Sequence, residues 1–336
     1  MEKEVSKTGS VLIAVLWSLF LLTALALVIN ASITPQLTLA ASLRDRMALR
    51  YLAEAGVQRS LLELRSDETE EYDALNNPWA DNDEAFKEIF LTDIGYFSVE
   101  HEIAGEGEEG GKRYGLIDEE RKININTAPV DVLTGLFVNA GEVSDQEAEE
   151  IAESIGDWRD GDDEAMDNGA ENNYYQGLGA PYACKNANFD VLEELLLVKG
   201  VTQGIFDRVK GYVTVYGEGA VNINTADEAV LQWLGIGDDL AKKIVDYRNG
   251  GDGQGATEDD NALESAQSLI PDLSARLSLS AEDIEKLTSA QNAGLLGVRS
   301  DFYRGESYGR FQDREAAVKI IFVVNRDETI HFWKEM

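Results

Sequence analysis

The feature that most constrains this chain is an apolar run near its start, from Val11 to Ile29. Its nineteen residues carry no charge, and a helix of that length measures about 28 Å, close to the hydrocarbon thickness of a bilayer. A single segment crosses a bilayer only as a helix, because its backbone polar groups must be paired internally. We therefore predict a membrane span over residues 11–29. The alternative is a cleaved secretory signal with Ala24-Leu25-Ala26 as its cleavage site, although such signals have shorter apolar regions of about 7–15 residues.

A short polar leader, Met1 to Thr8, precedes this run and ends in Gly9. The arrangement resembles a type IV prepilin, in which a dedicated prepilin peptidase cuts after the Gly and leaves the apolar helix in the mature protein. The resemblance implies a cut between Gly9 and Ser10. Most such proteins carry Glu at the fifth mature position, where this chain has Ala14. In lacking this Glu, the chain resembles the minor pseudopilin K family of type II secretion systems.

Beyond the span, apolar side chains recur at spacings of three and four residues, which predicts an amphipathic helix to about Leu64. They are Ala40, Leu43, Met47, Tyr51 and Ala55. Pro35 is expected to kink this helix or to break its hydrogen bonding locally. The apolar stripe indicates packing on the chain's own sheet, contact with other long helices in a bundle, or both.

Strand patterns occur at two distant places in the chain. The predicted strands are Tyr96–Ile103 and Arg113–Ile117, with a turn at Gly105 to Gly111, and later Ala316–Asn325 and Thr329–Lys334. A sheet divided in this way implies that the segment between its parts is an insertion. We predict an α+β fold: leader 1–9, helix 10–64, a small pilin-like antiparallel sheet domain formed by 65–122 and 299–336, and a large all-α insertion, 123–298.

The insertion contains an internal repeat. The segment Ile123 to Ala128 recurs as Val221 to Ala226, and Asp157-Trp158-Arg159-Asp160-Gly161 recurs as Asp246-Tyr247-Arg248-Asn249-Gly250. An apolar helical segment follows Ala128 in the first copy and Ala226 in the second. Asn126 and Asn224 are expected to cap those helices at their N-termini.

The second copy resembles a helix-hairpin-helix module, with Leu234-Gly235-Ile236-Gly237 in its bend. That family binds DNA phosphates through backbone amides of the Gly-rich turn. A membrane-anchored DNA-binding protein is therefore the main alternative function. Against it, the chain has 63 acidic and 29 basic residues, a net charge of −34 that repels phosphate backbones. We expect no nucleic-acid partner and interpret the hairpins as packing units.

Few residue types suited to catalysis are present. Cys184 is the single cysteine, which excludes an internal disulfide, and the two histidines, His101 and His331, lie in no recognisable motif. A histidine-rich zinc site and a conventional catalytic triad are both disfavoured. We predict that the protein is not an enzyme.

The stretch from Asp157 to Tyr175 concentrates carboxylates in one loop. Its acidic residues are Asp157, Asp160, Asp162, Asp163, Glu164, Asp167 and Glu171. Calcium takes six to eight oxygen ligands of this kind, but the spacing does not fit an EF-hand. The residues alone leave open whether this is a calcium site or a solvated acidic loop. A second Gly/Asp loop over 250–260 is a candidate for another cation, but it lacks the regular repeat of calcium β-rolls, which favours a flexible, solvated loop.

A series within and after this loop resembles the signature of the pseudopilin K α-domain. It comprises Asp157-Trp158, Asp160, Asp162, Gly169-Ala170-Glu171, Tyr174-Tyr175, Pro181-Tyr182, Asn186, Phe189 and Glu194-Leu195. Members of that family bind calcium in this loop. The resemblance implies Ca²⁺ as a cofactor and Asp160, Asp162 and Glu171 as ligands, with Asp163 and Asp157 as further candidates.

The resemblance also implies a structural role. We expect a minor pseudopilin at the tip of a secretion pseudopilus that helps to start its assembly. Its expected partners are minor pseudopilins of the I, J and H types, the major pseudopilin, prepilin peptidase and the inner-membrane secretion platform. The expected location is the inner membrane, in a single pass, with most of the chain in the periplasm. A membrane-anchored hydrolase using the loop carboxylates is a further alternative, for which the sequence indicates no substrate pocket.

Overall fold

The computed structural model describes residues 8–67, 69, 71–103 and 111–336. Its first helix, α1, runs without interruption from Thr8 to Ser66 and continues through Pro35. The part from Val11 onward is long and apolar enough to cross a membrane, as the sequence predicts. Most of the predicted leader and of the predicted turn at 105–111 lies outside the described residues.

The remaining elements are short. The helices are α2 Asp83–Phe86, α3 Val130–Asn139, α4 Asp145–Arg159, α5 Asn172–Gln176, α6 Gln203–Val209, α7 Glu228–Leu231, α8 Asp238–Arg248, α9 Leu269–Arg276 and α10 Ala281–Asn292. The strands are β1 Ile89–Phe90, β2 Gly95–Val99, β3 His101–Glu102, β4 Lys112–Arg113, β5 Ile117–Asp118, β6 Ile123–Asn124, β7 Val213–Thr214, β8 Val221–Asn222, β9 Leu296–Gly297, β10 Phe302–Phe311, β11 Arg314–Asn325 and β12 Ile330–Glu335. The fold is mixed α+β, as predicted.

An antiparallel sheet combines early and late parts of the chain. Its order is β1-β2-β10-β11-β12, and β5 also pairs with β10. The central strand β10 was not predicted from the sequence. Its inward positions are Tyr303, Gly305, Ser307, Gly309 and Phe311, so three small residues lie between two aromatic ones. Such residues do not produce the apolar alternation by which strands are recognised.

The small residues of β10 allow α1 to approach the sheet closely. The Ser307 hydroxyl donates a hydrogen bond to the Ala53 carbonyl at 2.7 Å. A Cβ atom at Gly309 would lie 1.9 Å from the Leu49 carbonyl oxygen. Leu49, Ala53 and Val57 on this face of α1 are buried. Helix and strand therefore meet backbone to backbone along β10.

Two hydrophobic clusters organise the described residues. One lies between α1 and the sheet, around Trp79, Phe86, Phe97 and Phe322. The other extends through the predicted insertion, from Ile123 to Val298. We call the first the pilin-like module and the second the inserted module.

Each repeat of the inserted module closes on itself through a short parallel strand pair. Strand β6 pairs with β7, and β8 pairs with β9. The inserted module is mainly helical, and these strand pairs were not predicted. The prediction that Asn126 and Asn224 cap helices was wrong, since Pro129 and Asp227 occupy the cap positions of α3 and α7.

The two asparagines instead anchor the end of a long loop in each repeat. Asn126 accepts a hydrogen bond from the Phe189 amide at 2.7 Å and donates to its carbonyl at 3.1 Å. Asn224 forms the same pair with Leu263, with both distances 2.9 Å. Amide side chains suit this position because they present a donor and an acceptor together.

Asn224→Ala is expected to destabilise the inserted module by about 2–4 kcal/mol, because the buried Leu263 amide and carbonyl both lose their partner. The check is pulse proteolysis of the full chain in increasing urea. Asn139→Ala is the matched control, since the Asn139 side chain is exposed and donates only within its own helix. Equal midpoints for the two variants would contradict this account.

Candidate metal centre

The acidic loop brings three carboxylates together where α4 ends and α5 begins. Asp157 lies in the last turn of α4, Asp160 is its C-terminal cap, and Glu171 is the N-terminal cap of α5. One oxygen atom from each lies within 4.8 Å of the others, and no other such acidic group was found among the described residues. The negative end of the α4 dipole faces the same place.

These carboxylates destabilise one another. Asp157 and Glu171 are buried. Burial raises the pKa of Asp157, and the charges of Asp160 and Glu153 raise it further. Burial likewise raises the pKa of Glu171, with Asp157, Asp160 and Asp163 adding to the effect. Each carboxylate therefore gains from a cation that approaches the shared oxygens.

Two buried oxygens at this place lack a donor. Glu171 Oε1 and Asn186 Oδ1 have no hydrogen-bond partner within the described part of the chain. The second Glu171 oxygen accepts the Asn172 amide at 3.0 Å. A buried acceptor without a donor is costly, whereas a hard cation takes oxygen ligands of both kinds.

The surrounding structure holds the loop in place. The Arg159 guanidinium donates to the carbonyls of Ile125 and Ala128 at 2.5 and 2.6 Å. Behind the loop, the ring centroids of Trp158 and Tyr175 lie 5.2 Å apart. A Cβ at Gly169 would meet Asp157 Oδ2 at 2.0 Å, so only glycine allows the loop to cross that carboxylate.

The five predicted ligands divide into two groups. Asp157, Asp160 and Glu171 converge, whereas Asp162 and Asp163 are exposed. Asp162 accepts the Glu164 amide at 2.8 Å, and Asp163 faces the Asn186 side-chain amide at 3.3 Å.

Asn186 is a site residue for which the sequence predicts no role of its own. Its backbone adopts a φ of 47°, which Asn tolerates better than most residues. Its side chain donates to the Asp162 carbonyl at 2.5 Å. The sequence signal was present, since Asn186 belongs to the family-like series, but nothing in its spacing indicated that it returns to the loop.

The second acidic loop, over 250–260, differs chemically from the first. Asp259 Oδ2 accepts the Gly251 and Asp252 amides at 2.6 and 3.2 Å. Asp260 accepts the Ala256 amide at 2.6 Å. Backbone donors thus satisfy Asp259 and Asp260, and this loop supplies a natural comparison for the first loop.

The helix-hairpin-helix turn is covered by an acidic neighbour. Gly235 and Gly237 have φ values of 82° and 88°, as the sharp bend requires. Lys286 of α10 reaches Gly237 but is paired with Glu282 at 2.7 Å. A groove of about 570 Å³ beside the turn is lined by Asp131, Glu282 and Glu285 among others. These carboxylates disfavour a nucleic-acid phosphate at the turn.

Comparison with known proteins identifies relatives of this chain. Residues 114–218 match the family described as type II secretion system protein K. Type II secretion system protein K from Pectobacterium carotovorum subsp. carotovorum is 33% identical over 114 residues, covering 33% of this chain and 34% of that protein. The corresponding protein from Pseudomonas aeruginosa is 28% identical over 200 residues, covering 59% and 57% respectively. The chain thus spans about a third to somewhat over half the length of the curated relatives it matches.

A solved structure shares the fold. The crystal structure of the GspK–GspI–GspJ complex from the enterotoxigenic Escherichia coli type 2 secretion system contains a chain that superposes with a TM-score of 0.62. The match covers 89% of this chain and 99% of that chain at 20% identity. The resemblance to the protein K family predicted from the sequence is confirmed.

Proposed function

We propose that this chain, whose residues 114–218 carry the protein K domain of type II secretion systems, is a structural minor pseudopilin. The observation that carries the proposal is the single helix from Thr8 to Ser66, whose apolar first half is long enough to span a membrane and whose second half packs on the sheet. A helix shared in this way between membrane and folded domain lets the subunit be drawn from a bilayer into a filament.

The helix offers a surface for partners of the same kind. Leu39, Leu43, Met47 and Tyr51 are exposed large apolar residues on α1, outside its packing face on the sheet. We propose that the long helices of I-, J- and H-type minor pseudopilins and of the major pseudopilin pack here, and that the inner-membrane platform receives the same helix. Several large apolar residues exposed side by side are typical of interaction sites.

We further propose a position at the tip of the pseudopilus, with a role in starting assembly. The inserted module is bulky, and a filament end tolerates bulk because no subunit stacks above it. Ala14 stands where most prepilin-like proteins carry an intramembrane Glu, which removes a costly charge from the bilayer. The chain would be anchored in the inner membrane by one span, with residues beyond it in the periplasm.

Calcium is proposed as the resident cation of the acidic loop. Asp157, Asp160 and Glu171 fit it by their converging oxygens, and the Glu171 and Asn186 acceptors without donors fit it as well. Asp162 and Asp163 remain proposed ligands that would turn inward when the ion is present. The cation would neutralise the cluster and tie the end of α4 to the start of α5.

Processing at the leader is the experiment that tests the assignment. We expect the mature chain to begin at Ser10 in cells with prepilin peptidase and at Met1 in cells without it, by mass spectrometry of membrane-purified protein. Gly9→Leu is expected to abolish processing even when the peptidase is present. A chain cut near Ala26 would instead indicate a cleaved secretory signal.

Two other functions predict different results. A DNA-binding hairpin requires salt-sensitive DNA binding by the purified chain, which the acidic surroundings of the turn oppose. A hydrolase requires an activity that disappears when Asp160 is replaced. We propose neither a nucleic-acid partner nor an enzymatic activity.

A further inference from the structure

The boundary between the two modules is a buried polar junction. It comprises Asp73, Asp118, Glu120, Asn222 and Ser300, all buried. Asp118 and Ser300 lie at the two places where the chain passes between the modules, and their side chains are joined by a 2.7 Å hydrogen bond. We call these five residues the junction.

Hydrogen-bond donors surround two of the three carboxylates of the junction, those of Asp118 and Asp73. Asp118 accepts the Glu120 amide at 2.8 Å, and its other oxygen accepts the side chains of Asn222 and Thr225 at 3.0 and 2.5 Å, besides Ser300. Asp73 accepts the Ser300 amide at 2.8 Å and the Tyr303 hydroxyl at 2.7 Å, and it pairs with Arg326. These donors favour the ionised forms, but burial still raises the pKa of Asp73 to about 6 and keeps the pKa of Asp118 above its ordinary value.

Glu120 is held differently. One of its oxygens accepts two backbone amides, that of Phe302 at 3.3 Å and that of Asp301. Its other oxygen lies against Gly217, where a Cβ would be only 2.3 Å away. Burial raises the pKa of Glu120 to about 7, and the charges of Asp118 and Asp301 contribute.

The charged groups around Glu120 are mostly paired with one another. They are Glu119 with Lys122, Arg121 with Asp227, Asp301 with Arg299, and Asp73 with Arg326. Among the described residues, Asp118 and Asp301 are acidic neighbours whose charges raise the pKa of Glu120. Ionised Glu120 is therefore opposed by both neighbours.

We propose that Glu120 is a proton-binding switch that makes the attachment of the inserted module to the pilin-like module depend on pH. When protonated, the carboxyl keeps its amide bonds to residues 301 and 302 without repelling Asp118. When ionised, it is repelled and the junction loosens. Because the folded-state pKa of Glu120 is above the ordinary value of about 4.5, the folded junction binds the additional proton, so the contribution of Glu120 to stability is complete below pH 4.5 and is lost as pH rises through 7.

The test is hydrogen exchange of the full chain in detergent at saturating calcium, followed by mass spectrometry of peptides containing residues 300–302. After correction for intrinsic exchange, protection should fall by at least about tenfold between pH 5.5 and 8.5, within the roughly thirtyfold that a pKa near 7 permits. Glu120→Gln should remove the fall in protection around pH 7 and leave only the smaller change that Asp73, whose pKa is raised to about 6, causes at lower pH. The exposed, nearby Glu218→Gln is the matched control and should behave as the unmodified chain does.

A second measurement does not depend on any variant. In the unmodified chain labelled with ¹³C at glutamate carboxyls, one resonance should titrate near pH 7 while exposed glutamates titrate near 4.5. Protection that does not change with pH, or the absence of a glutamate titrating above pH 6, overturns the proposal.

Discussion

Glu171→Gln is expected to lower the calcium affinity of the full chain by at least about a hundredfold. The substitution keeps the size of the side chain but removes one of three converging charges, on the residue whose Oε1 lacks a donor. Isothermal titration calorimetry in detergent, from chelator-treated protein, measures the change directly. The calcium-dependent rise in melting temperature should shrink accordingly.

The same variant should have the opposite effect in the absence of calcium. Without the cation, Asp157 and Asp160 repel Glu171, whose pKa is raised, so neutralising it should stabilise the calcium-free protein slightly. Asp259→Asn is the control, because backbone amides satisfy that carboxylate in the second loop. Unchanged calcium affinity in Glu171→Gln, or an equal loss in Asp259→Asn, would refute the proposed centre.

Gly309→Val should have the largest effect on stability, a loss of about 3–5 kcal/mol from the pilin-like module. A side chain at Gly309 meets the Leu49 carbonyl oxygen at 1.9 Å and the Ala53 amide nitrogen at 2.8 Å. Both are backbone atoms of α1 and no rotamer avoids them, so the helix must move away from the sheet. Pulse proteolysis in urea, with fragments identified by mass, reports which module opens first.

Gly211→Val separates this clash from a general effect of replacing glycine. A Cβ at Gly211 meets nothing within 4 Å, so its urea midpoint should stay close to that of the unmodified chain. If Gly309→Val unfolds at the same urea concentration as Gly211→Val, α1 does not lie against β10 as described.

The fold was predictable where local signals were strong. The apolar run, the long helix and the β-branched strand β11 were predicted because composition and periodicity are local signals. The apolar stripe of the helix does not mark its packing face, since Leu43, Met47 and Tyr51 are exposed and Leu49 and Ala53 face the sheet.

Strand β10 was not predicted, because contact with α1 selects small side chains at Ser307 and Gly309, and the Phe322 ring occupies the space beside Gly305. The capping role expected of Asn126 and Asn224 was wrong because both side chains bind loop ends far along the chain. Long-range hydrogen bonds leave no local pattern in the sequence.

The candidate centre was predictable only in part, because charge density is a local signal whereas the path of the loop depends on distant contacts. Charge density identified the loop, and Asp157, Asp160 and Glu171 converge within it. Neither the exposure of Asp162 and Asp163 nor the return of Asn186 to the loop follows from spacing. The exposure of Asp162 and Asp163 and the position of Asn186 depend on the path of the backbone between α4 and Phe189. The hydrogen bonds between Asn126 and Phe189 fix the end of that path from another part of the module.

The hydrogen bond between Asp118 and Ser300 joins residues 182 positions apart. The chain leaves the sheet and returns to it at one point. For strand pairing, the inserted module is therefore equivalent to a short hairpin loop, however many residues it contains. The entropic free-energy cost of closing a loop grows only logarithmically with its length, by roughly 0.6 kcal/mol for each doubling of the number of residues. A module folded in this way places little additional entropic cost on strand pairing, so its size can change while the helix and sheet that carry it stay the same.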